Sequence, residues 1–198
     1  MNVPPITDAA PPGDRLRAVG TEAKRVDAAI YDAVAETPTP TLDLALGDLS
    51  DAANHSRLWL GIAAGLAVGG GPQGRRAAAT GVAAIGLASA AVNAGLKPLW
   101  SRRRPDREGA GVPVARHVRM PTSTSFPSGH SASAFAFATA AGQVAPMTAV
   151  PLHLLAVTVA YSRIHAGVHY PGDVVIGSVA GAIAGEVVAG FHLRRHRR

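Results

Sequence analysis

Five apolar stretches follow one another between residues 58 and 193, separated by short polar or basic segments. They cover roughly residues 58–71, 77–96, 131–147, 149–162 and 174–193. A membrane-spanning helix needs about 20 apolar residues, a length that only the second and fifth stretches approach. All five are rich in Ala and Gly rather than Leu, so hydropathy alone also permits a water-soluble helical bundle. We expect an all-α fold, an integral-membrane bundle of about five spanning helices.

Glycines recur four residues apart in the first and the last of these stretches. The two sets are Gly61, Gly65, Gly69 and Gly177, Gly181, Gly185. Residues four apart lie on one face of a helix, where small side chains let a neighbouring backbone approach closely. In water each such glycine would cost about 1 kcal/mol relative to Ala. The stripes favour helix packing in a membrane, although an Ala- and Gly-rich composition is the alternative explanation.

Composition supports the membrane assignment and limits the partners. Hydrophobic residues make up 47% of the chain and charged residues 16%, below the charged share of about 25% in soluble domains. The net charge is +6, but aromatic residues are only 5% and are not interleaved with Arg. We therefore expect anionic lipid or phosphate as the partner, and not nucleic acid. The sequence has no Cys, which excludes disulfides and thiolate metal sites.

The N-terminal part of the chain differs from the apolar region. Residues 1–20 are expected to be a disordered tail, since residues 1–13 are Pro-rich and lack the apolar run of a signal peptide. Apolar residues at helical spacing predict two amphipathic helices, over about 21–36 and 42–53. Charged residues fill their other faces. These helices should lie along the membrane interface or cap the bundle, and should not span.

The remaining polar residues form three clusters. The first runs from Lys97 to Pro105, the second from Pro127 to His130 and the third from Ser162 to Asp173. No apolar stretch separates the first two clusters, and two stretches separate the second from the third. All three should therefore lie at one membrane face. A crossing of about 16 residues reaches only ~24 Å, so this arrangement requires a thin region of the bilayer.

The clusters contain groups suited to holding a phosphate. Lys97, Arg104 and Arg163 are cationic donors, and Arg binds phosphate through two parallel hydrogen bonds. Ser128 is a candidate N-cap of the apolar helix that follows it. The backbone N–H groups of Gly129 and the next residue would then point at an anion. We predict a phosphate clamp at this face.

The same clusters contain candidate groups for bond cleavage. Asp173 lies four residues after His169 and could accept from one ring nitrogen, which leaves the other nitrogen free to attack phosphorus. His130 would protonate the departing oxygen and then activate water. A metal site of His130, His165, His169 and Asp173 is the alternative, but the three nearby cations would repel a divalent ion. We therefore expect no metal and no cofactor.

Every fixed position of one known signature is present in these clusters. The signature reads K-x6-R-P, then P-S-G-H, then S-R-x5-H-x3-D, and it covers residues 97–173. The chain thereby resembles the type-2 phosphatidic acid phosphatase (PAP2) superfamily, in particular its bacterial membrane lipid phosphatases. The larger members of that family usually have six spanning helices. By this resemblance, residues 21–198 are expected to form one PAP2-type membrane phosphatase domain.

The resemblance also implies roles for the site residues. It makes His169 the nucleophile that forms a phosphohistidine, Asp173 its partner, and His130 the general acid. The phosphate-binding residues that it implies are Lys97, Arg104, Ser128, Gly129 and Arg163. The remaining polar and aromatic residues are expected to lie outside the phosphate site. We expect Arg102, Arg103, Arg107, Arg116 and Arg119 at lipid head groups or in solvent, His165 in a structural or surface role, and Trp59, Trp100 and Tyr170 as interface anchors.

The implied activity is metal-independent hydrolysis of a lipid phosphate or diphosphate, either polyprenyl diphosphate or a phosphatidate-type lipid. A vanadate-binding haloperoxidase-like enzyme is one alternative, because the same phosphate cradle holds vanadate in that relative. A catalytically silent membrane protein that binds anionic lipid is another. The resemblance to bacterial lipid phosphatases implies a multi-pass protein of the plasma membrane with its site on the extracytoplasmic face. The sequence leaves the oligomeric state open.

Overall fold

The computed structural model describes residues 12–195 of the chain. These residues form eight α-helices joined by loops and single 3₁₀ or π turns, and they contain no strand. The helices are α1 (Pro12–Glu36), α2 (Pro40–Ala52), α3 (Arg57–Gly69), α4 (Gly71–Ala90), α5 (Lys97–Leu99), α6 (Gly129–Val144), α7 (Ala149–His165) and α8 (Pro171–Arg195). The predicted all-α class is confirmed.

Three helical segments of the described chain are long and apolar enough to cross a membrane. They are Gly71–Leu99, Pro146–His165 and Pro171–Arg194. α3 has 13 residues and α6 has 16, which is less than the roughly 20 residues that a full crossing requires. The protein is a helical membrane bundle, and the number of five crossings stays a prediction.

The N-terminal helices lie against the loops at one end of the bundle. α1 begins at Pro12, so the expectation of a disordered tail through residue 20 is wrong for residues 12–20, and residues 1–11 lie outside the described part. A proline is tolerated in the first helical turn because the N–H it lacks would have no partner there. Tyr31 of α1 packs on Tyr170 with ring centroids 5.4 Å apart. α1 therefore contacts the loop that precedes α8.

α6 forms the centre of the bundle and packs against α4, α7 and α8. Its Phe137 is completely buried and lies 5.5 Å from Trp59 of α3, centroid to centroid. Trp59 is 1% exposed, so its expected place as an interface anchor is wrong. Trp100 is 53% exposed and keeps that interpretation. α6, with 16 residues, is largely enclosed by its neighbouring helices.

The two glycine stripes have different surroundings. A Cβ on Gly177 or Gly181 would strike the backbone of α6 at Ser128 or Ala132, and one on Gly185 would lie 2.8 Å from Thr139 Cβ. The predicted close contact is therefore confirmed for α8. The second stripe consists of Gly61, Gly65 and Gly69, and a Cβ on any of them would meet no atom within 4 Å. That stripe contacts no helix among the described residues, so its predicted packing is wrong.

The helix ends that carry the three polar clusters lie together. α4 continues through a π turn, Ala91–Leu96, into α5, which begins at Lys97. Pro98 has no N–H for the carbonyl of Ala94 and interrupts the regular α-helical pattern here. α6 and α8 both begin at this end, where the backbone N–H of Ser128 donates to Asp173 O at 2.9 Å.

Candidate active site

The three polar clusters surround a cavity of about 210 Å³ at this end of the bundle. Five of the predicted site residues line it, namely Lys97, Arg104, Gly129, His130 and His169. The remaining three, Ser128, Arg163 and Asp173, are fully buried and do not line the cavity. The cavity therefore has a wall of cations and three imidazoles, since His55 lines it as well, with further polar groups buried behind it.

His169 lies in the loop between α7 and α8 and is 2% exposed. Arg104 Nη1 lies 3.2 Å from His169 Nε2. A guanidinium group only donates, so Nε2 must accept and carries the lone pair. The ring proton is then on Nδ1, which lies 3.4 Å from Asp173 Oδ2 and 3.5 Å from Ser125 Oγ. This arrangement directs the lone pair of Nε2 toward the guanidinium of Arg104.

Asp173 is fully buried and both of its carboxylate oxygens are paired. Oδ2 accepts from Tyr170 N at 3.0 Å and from Ser125 Oγ, and Oδ1 accepts from Arg102 Nη1 at 3.0 Å. Arg102 also pairs with Asp27 of α1 at 2.6 Å, and its guanidinium lies 4.0 Å from the centre of the Tyr170 ring. The expected place of Arg102 among lipid head groups or in solvent is therefore wrong, because it links α1 to Asp173.

The loop before α6 holds the first two cations. Arg104 donates through Nε to Ser123 O at 3.0 Å and through Nη1 to Val168 O at 2.7 Å. Lys97 Nζ donates to Ser123 Oγ at 3.0 Å. Ser123 therefore contacts both cations, and it also lines the cavity. The three residues form one polar edge of the cavity, and the role of Lys97 and Arg104 in a phosphate clamp stays a prediction.

The third cation, Arg163, is completely buried in the last turn of α7. Its Nη1 donates to Ser50 O at 3.3 Å and to Ser50 Oγ. Its Nε and Nη2 have no hydrogen-bond partner among the described residues. Buried donors nearly always have a partner, so these two nitrogens lack a partner that the described residues could supply.

Ser128 has the structural role predicted for it. Its hydroxyl caps α6 by accepting from Ser131 N at 3.4 Å, and it also accepts from Ser131 Oγ at 3.0 Å. Gly129, the first residue of α6, lines the cavity, and a Cβ there would meet no atom within 4 Å. The positive end of the α6 dipole thus faces the cavity, as expected for an anion site.

His130 is oriented by a residue that sequence reasoning missed. Its Nε2 lies 2.9 Å from Asn54 Oδ1, and Asn54 Nδ2 donates to Asp51 Oδ1 at 3.1 Å. Because a carboxylate only accepts, the amide nitrogen faces Asp51, so the amide oxygen faces His130 and Nε2 carries a proton. Asn54 precedes the first apolar stretch and lies outside the three polar clusters, so the cluster pattern did not point to it.

A second buried polar cluster lies beside the site. Arg116 is 1% exposed and donates to Asp43 at 2.9 Å, to Val34 O at 2.9 Å and to Thr37 O at 2.6 Å. His165 Nε2 lies 3.0 Å from the same Asp43 oxygen. Arg116 therefore joins α1, α2 and α7, and its expected place at head groups or in solvent is wrong.

Two further expectations concern the remaining arginines and the metal alternative. Arg107 donates to Val118 O at 2.8 Å and is half-buried, whereas Arg103 and Arg119 are exposed.

The described residues contain no group of three His, Cys, Asp or Glu side chains that could hold a metal ion. In the four-residue set of the metal alternative, His165 instead contacts Asp43 and His130 contacts Asn54.

The electrostatic surroundings keep His169 neutral. Burial lowers the pKa of His169 to about 4, the charges of Arg104 and Arg163 lower it further, and Asp173 opposes them. The ring is therefore neutral at pH 7, the form in which Nε2 has a free electron pair. Burial also lowers the pKa of Arg104.

The PAP2 superfamily model matches residues 78–197, which include every signature position around this cavity. The chain belongs to the PAP2 superfamily. The predicted resemblance is confirmed. A 94-residue segment of this PAP2 protein is 40% identical to decaprenylphosphoryl-5-phosphoribose phosphatase of Mycobacterium tuberculosis. The aligned segment covers 47% of this chain and 49% of that protein. The matching segment thus spans about half the length of that relative.

Further similarities extend over more of the PAP2 chain. The decaprenylphosphoryl-5-phosphoribose phosphatase of Mycolicibacterium smegmatis is 38% identical over 130 residues, 65% of this chain and 67% of that protein. Aquifex aeolicus LpxE superposes with a TM-score of 0.63 at 25% identity, over 82% of this chain and 94% of that chain. The transmembrane PAP2-type phosphatidylglycerolphosphate phosphatase of Bacillus subtilis has a TM-score of 0.67 at 25% identity, over 87% of each chain.

Proposed function

We propose that the protein hydrolyses a phosphate monoester of a membrane lipid through a phosphohistidine at His169. One observation carries the proposal. The free nitrogen of His169 faces the guanidinium of Arg104 at 3.2 Å in the cavity wall, while its protonated nitrogen faces Asp173. A neutral imidazole held in one tautomer beside a cation is suited to attack a bound phosphoryl group.

In the first step, His169 Nε2 attacks phosphorus and forms a P–N bond, while the bond from phosphorus to the leaving oxygen breaks. The electron pair goes to that oxygen, which takes a proton from His130. Asp173 stabilises the imidazolium character that develops on His169. Because Nε2 of His130 keeps its own proton on Asn54, the proton supplied is the Nδ1 proton of the imidazolium form. Burial and the nearby cations lower the pKa of His130 in the empty site, so in this proposal the negative charge of the bound phosphate stabilises the imidazolium.

In the second step, His130 accepts a proton from water as the water oxygen attacks phosphorus and the P–N bond breaks. Phosphate leaves and both histidines return to their starting states. Lys97, Arg104, the N-terminus of α6 at Ser128 and Gly129, and the free N–H groups of Arg163 would hold the equatorial oxygens. In phosphoryl transfer, such positioning and charge stabilisation supply most of the rate enhancement.

The substrate that we propose is a polyprenyl lipid carrying a terminal phosphate monoester. The mycobacterial relatives are named for decaprenylphosphoryl-5-phosphoribose, in which the terminal phosphate is on a sugar. Polyprenyl diphosphate and phosphatidate-type lipids also have a terminal phosphate, and they are the alternative substrates. The proposed location is the plasma membrane with the site on the extracytoplasmic face. In support, Arg75 and Arg76 lie at the opposite end of α4, where positive charge favours the cytoplasm.

The test is phosphate release by the purified protein in detergent, with a chelator present. The panel contains farnesylphosphoryl-5-phosphoribose, phosphatidate, phosphatidylglycerol phosphate and farnesyl diphosphate. We expect release from at least one lipid, its loss in His169→Ala, and its retention in His153→Gln, which removes an imidazole from α7 outside the cavity. Release that survives His169→Ala, or that disappears with the chelator, would refute the mechanism. Lipid binding without any release would indicate the catalytically silent alternative.

A further inference from the structure

A second cavity of about 560 Å³ adjoins the first. Both cavities are lined by His55, Pro121, Ser123 and His130, so they share one wall. His169 lines only the smaller cavity. The larger one therefore lies on the side of His130, away from the nucleophile.

This position identifies the larger cavity as the place for the leaving group. In phosphoryl transfer the attacking and leaving atoms are roughly in line, on opposite sides of phosphorus. The attacking atom is Nε2 of His169, and the group that protonates the leaving oxygen is His130. The rest of the substrate beyond that oxygen must then extend past His130, into the larger cavity.

The walls of the larger cavity match a polar, negatively charged group. Two arginines line it, Arg57 at the start of α3 and Arg119 in the loop before α6, together with the hydroxyl residue Thr122. Its described lining contains no Asp or Glu. Among the residues that the structure describes, no carboxylate lies within salt-bridge distance of either arginine. Met120 and Pro121 add an apolar surface of the kind that packs on a sugar ring.

The turn between α2 and α3 supports the same conclusion independently. His55 and Ser56 both have left-handed backbone angles, with φ of 53° and 58°. Two consecutive residues other than glycine in this region are strained, and such strain is found mostly where function requires it. The turn places Asn54 against His130, and it places His55 and Arg57 in the wall of the larger cavity.

We propose that the larger cavity is a subsite for a leaving group that carries a second phosphate. The leaving group is a sugar or similar polyol linked to the lipid through a phosphodiester, and Arg57 and Arg119 bind the phosphodiester. This inference rests on the proposed function. It separates substrates of this class from lipids whose only phosphate is the one removed.

Two matched substrates test the subsite. One is farnesylphosphoryl-5-phosphoribose, and the other is farnesyl riboside 5-phosphate, in which a glycosidic oxygen replaces the phosphodiester. We expect Arg57→Gln and Arg119→Gln each to lower kcat/KM for the first substrate about tenfold, with less than about a twofold change for the second. Both side chains are exposed, so the fold should tolerate the changes. Arg75→Gln, an exposed charge about 30 Å along the helix from Lys97, should alter neither substrate.

A binding measurement separates failure of the subsite from failure of the enzymatic proposal. Binding of the same two compounds is measured by calorimetry in the inactive His169→Ala protein, with and without Arg57→Gln or Arg119→Gln. We expect the added substitution to weaken binding of the compound with the phosphodiester and to leave binding of the other compound unchanged. Equal effects on both compounds, or no effect, would overturn the subsite even if the enzyme is active. If no lipid phosphate is hydrolysed, the enzymatic proposal fails, and the calorimetry still decides whether the second phosphate binds here.

Discussion

The contact between α8 and α6 at Gly181 gives a sharp test of how the site is assembled. A Cβ on Gly181 would overlap the carbonyl oxygen of Ala132 and would lie 2.8 Å from its Cα and carbonyl carbon. These are backbone atoms inside a helix, so no side-chain rotation can relieve the overlap. Gly181→Ala therefore forces the two helices apart.

The magnitude follows from two opposing effects. Overpacking a closely packed core costs about 1–3 kcal/mol, and an overlap with backbone belongs at the upper end, about 3 kcal/mol. Ala favours the helix over Gly by about 1 kcal/mol. The net loss is about 2 kcal/mol, which for a chain of this size lowers Tm by about 4–8 °C. Gly61→Ala meets no atom within 4 Å and should keep or slightly raise the stability.

The assay is thermal unfolding in one detergent, followed by tryptophan fluorescence, since Trp59 is buried against Phe137. Phosphate release from the same samples should fall in Gly181→Ala, because α8 carries Asp173 and α6 carries His130. A Gly181→Ala protein as stable as the wild type, or a Gly61→Ala protein destabilised to the same extent, would refute the assigned packing.

Three further predictions concern residues around the site. Arg102→Gln should lower kcat about tenfold, ~1.4 kcal/mol, with little change in KM, because Asp173 Oδ1 loses its partner; an unchanged kcat in steady-state assays would contradict this. On the acid side, kcat/KM should fall as the pH drops through about 4, where His169 becomes protonated, and an acid limb near the ordinary His value of about 6.5 would argue against the burial of that ring. Asp43→Asn should lower the free energy of unfolding by about 3 kcal/mol, because Arg116 keeps a buried charge without its counterion. A loss below about 1 kcal/mol in chemical unfolding would show that the backbone carbonyls that accept from Arg116 are enough to stabilise its charge.

The sequence predicted the site better than it predicted the packing around it. Spacing placed the three clusters at one membrane face, and their members do meet around one cavity. The signature leaves six positions open between Lys97 and Arg104, so Arg102 and Arg103 look alike. In the structure one is ion-paired with Asp173 and the other is exposed. Which of two adjacent arginines turns inward depends on the position of α1, which no local pattern records.

The glycine stripes illustrate the same limit. Both have a four-residue spacing and both lie in apolar helices, yet only the stripe on α8 contacts a neighbouring backbone. A local pattern shows that a helix face is smooth, but the partner of that face is set by topology. The amphipathic helices were predictable because their charge pattern is local, whereas the link from Asp27 of α1 to Arg102 is not.

The packing of α8 on α6 also explains how residues from the second and third polar clusters come to lie together. A Cβ on Gly177 would strike the backbone of Ser128, so glycine there allows the starts of the two helices to touch. At that contact the N–H of Ser128 donates to Asp173 O at 2.9 Å. One end of this contact holds the partner of His169, and the other begins the helix whose N-terminus faces the cavity. The distance between the partner of His169 and the N-terminus of α6 is therefore fixed by backbone contact, which varies less than contact through flexible side chains.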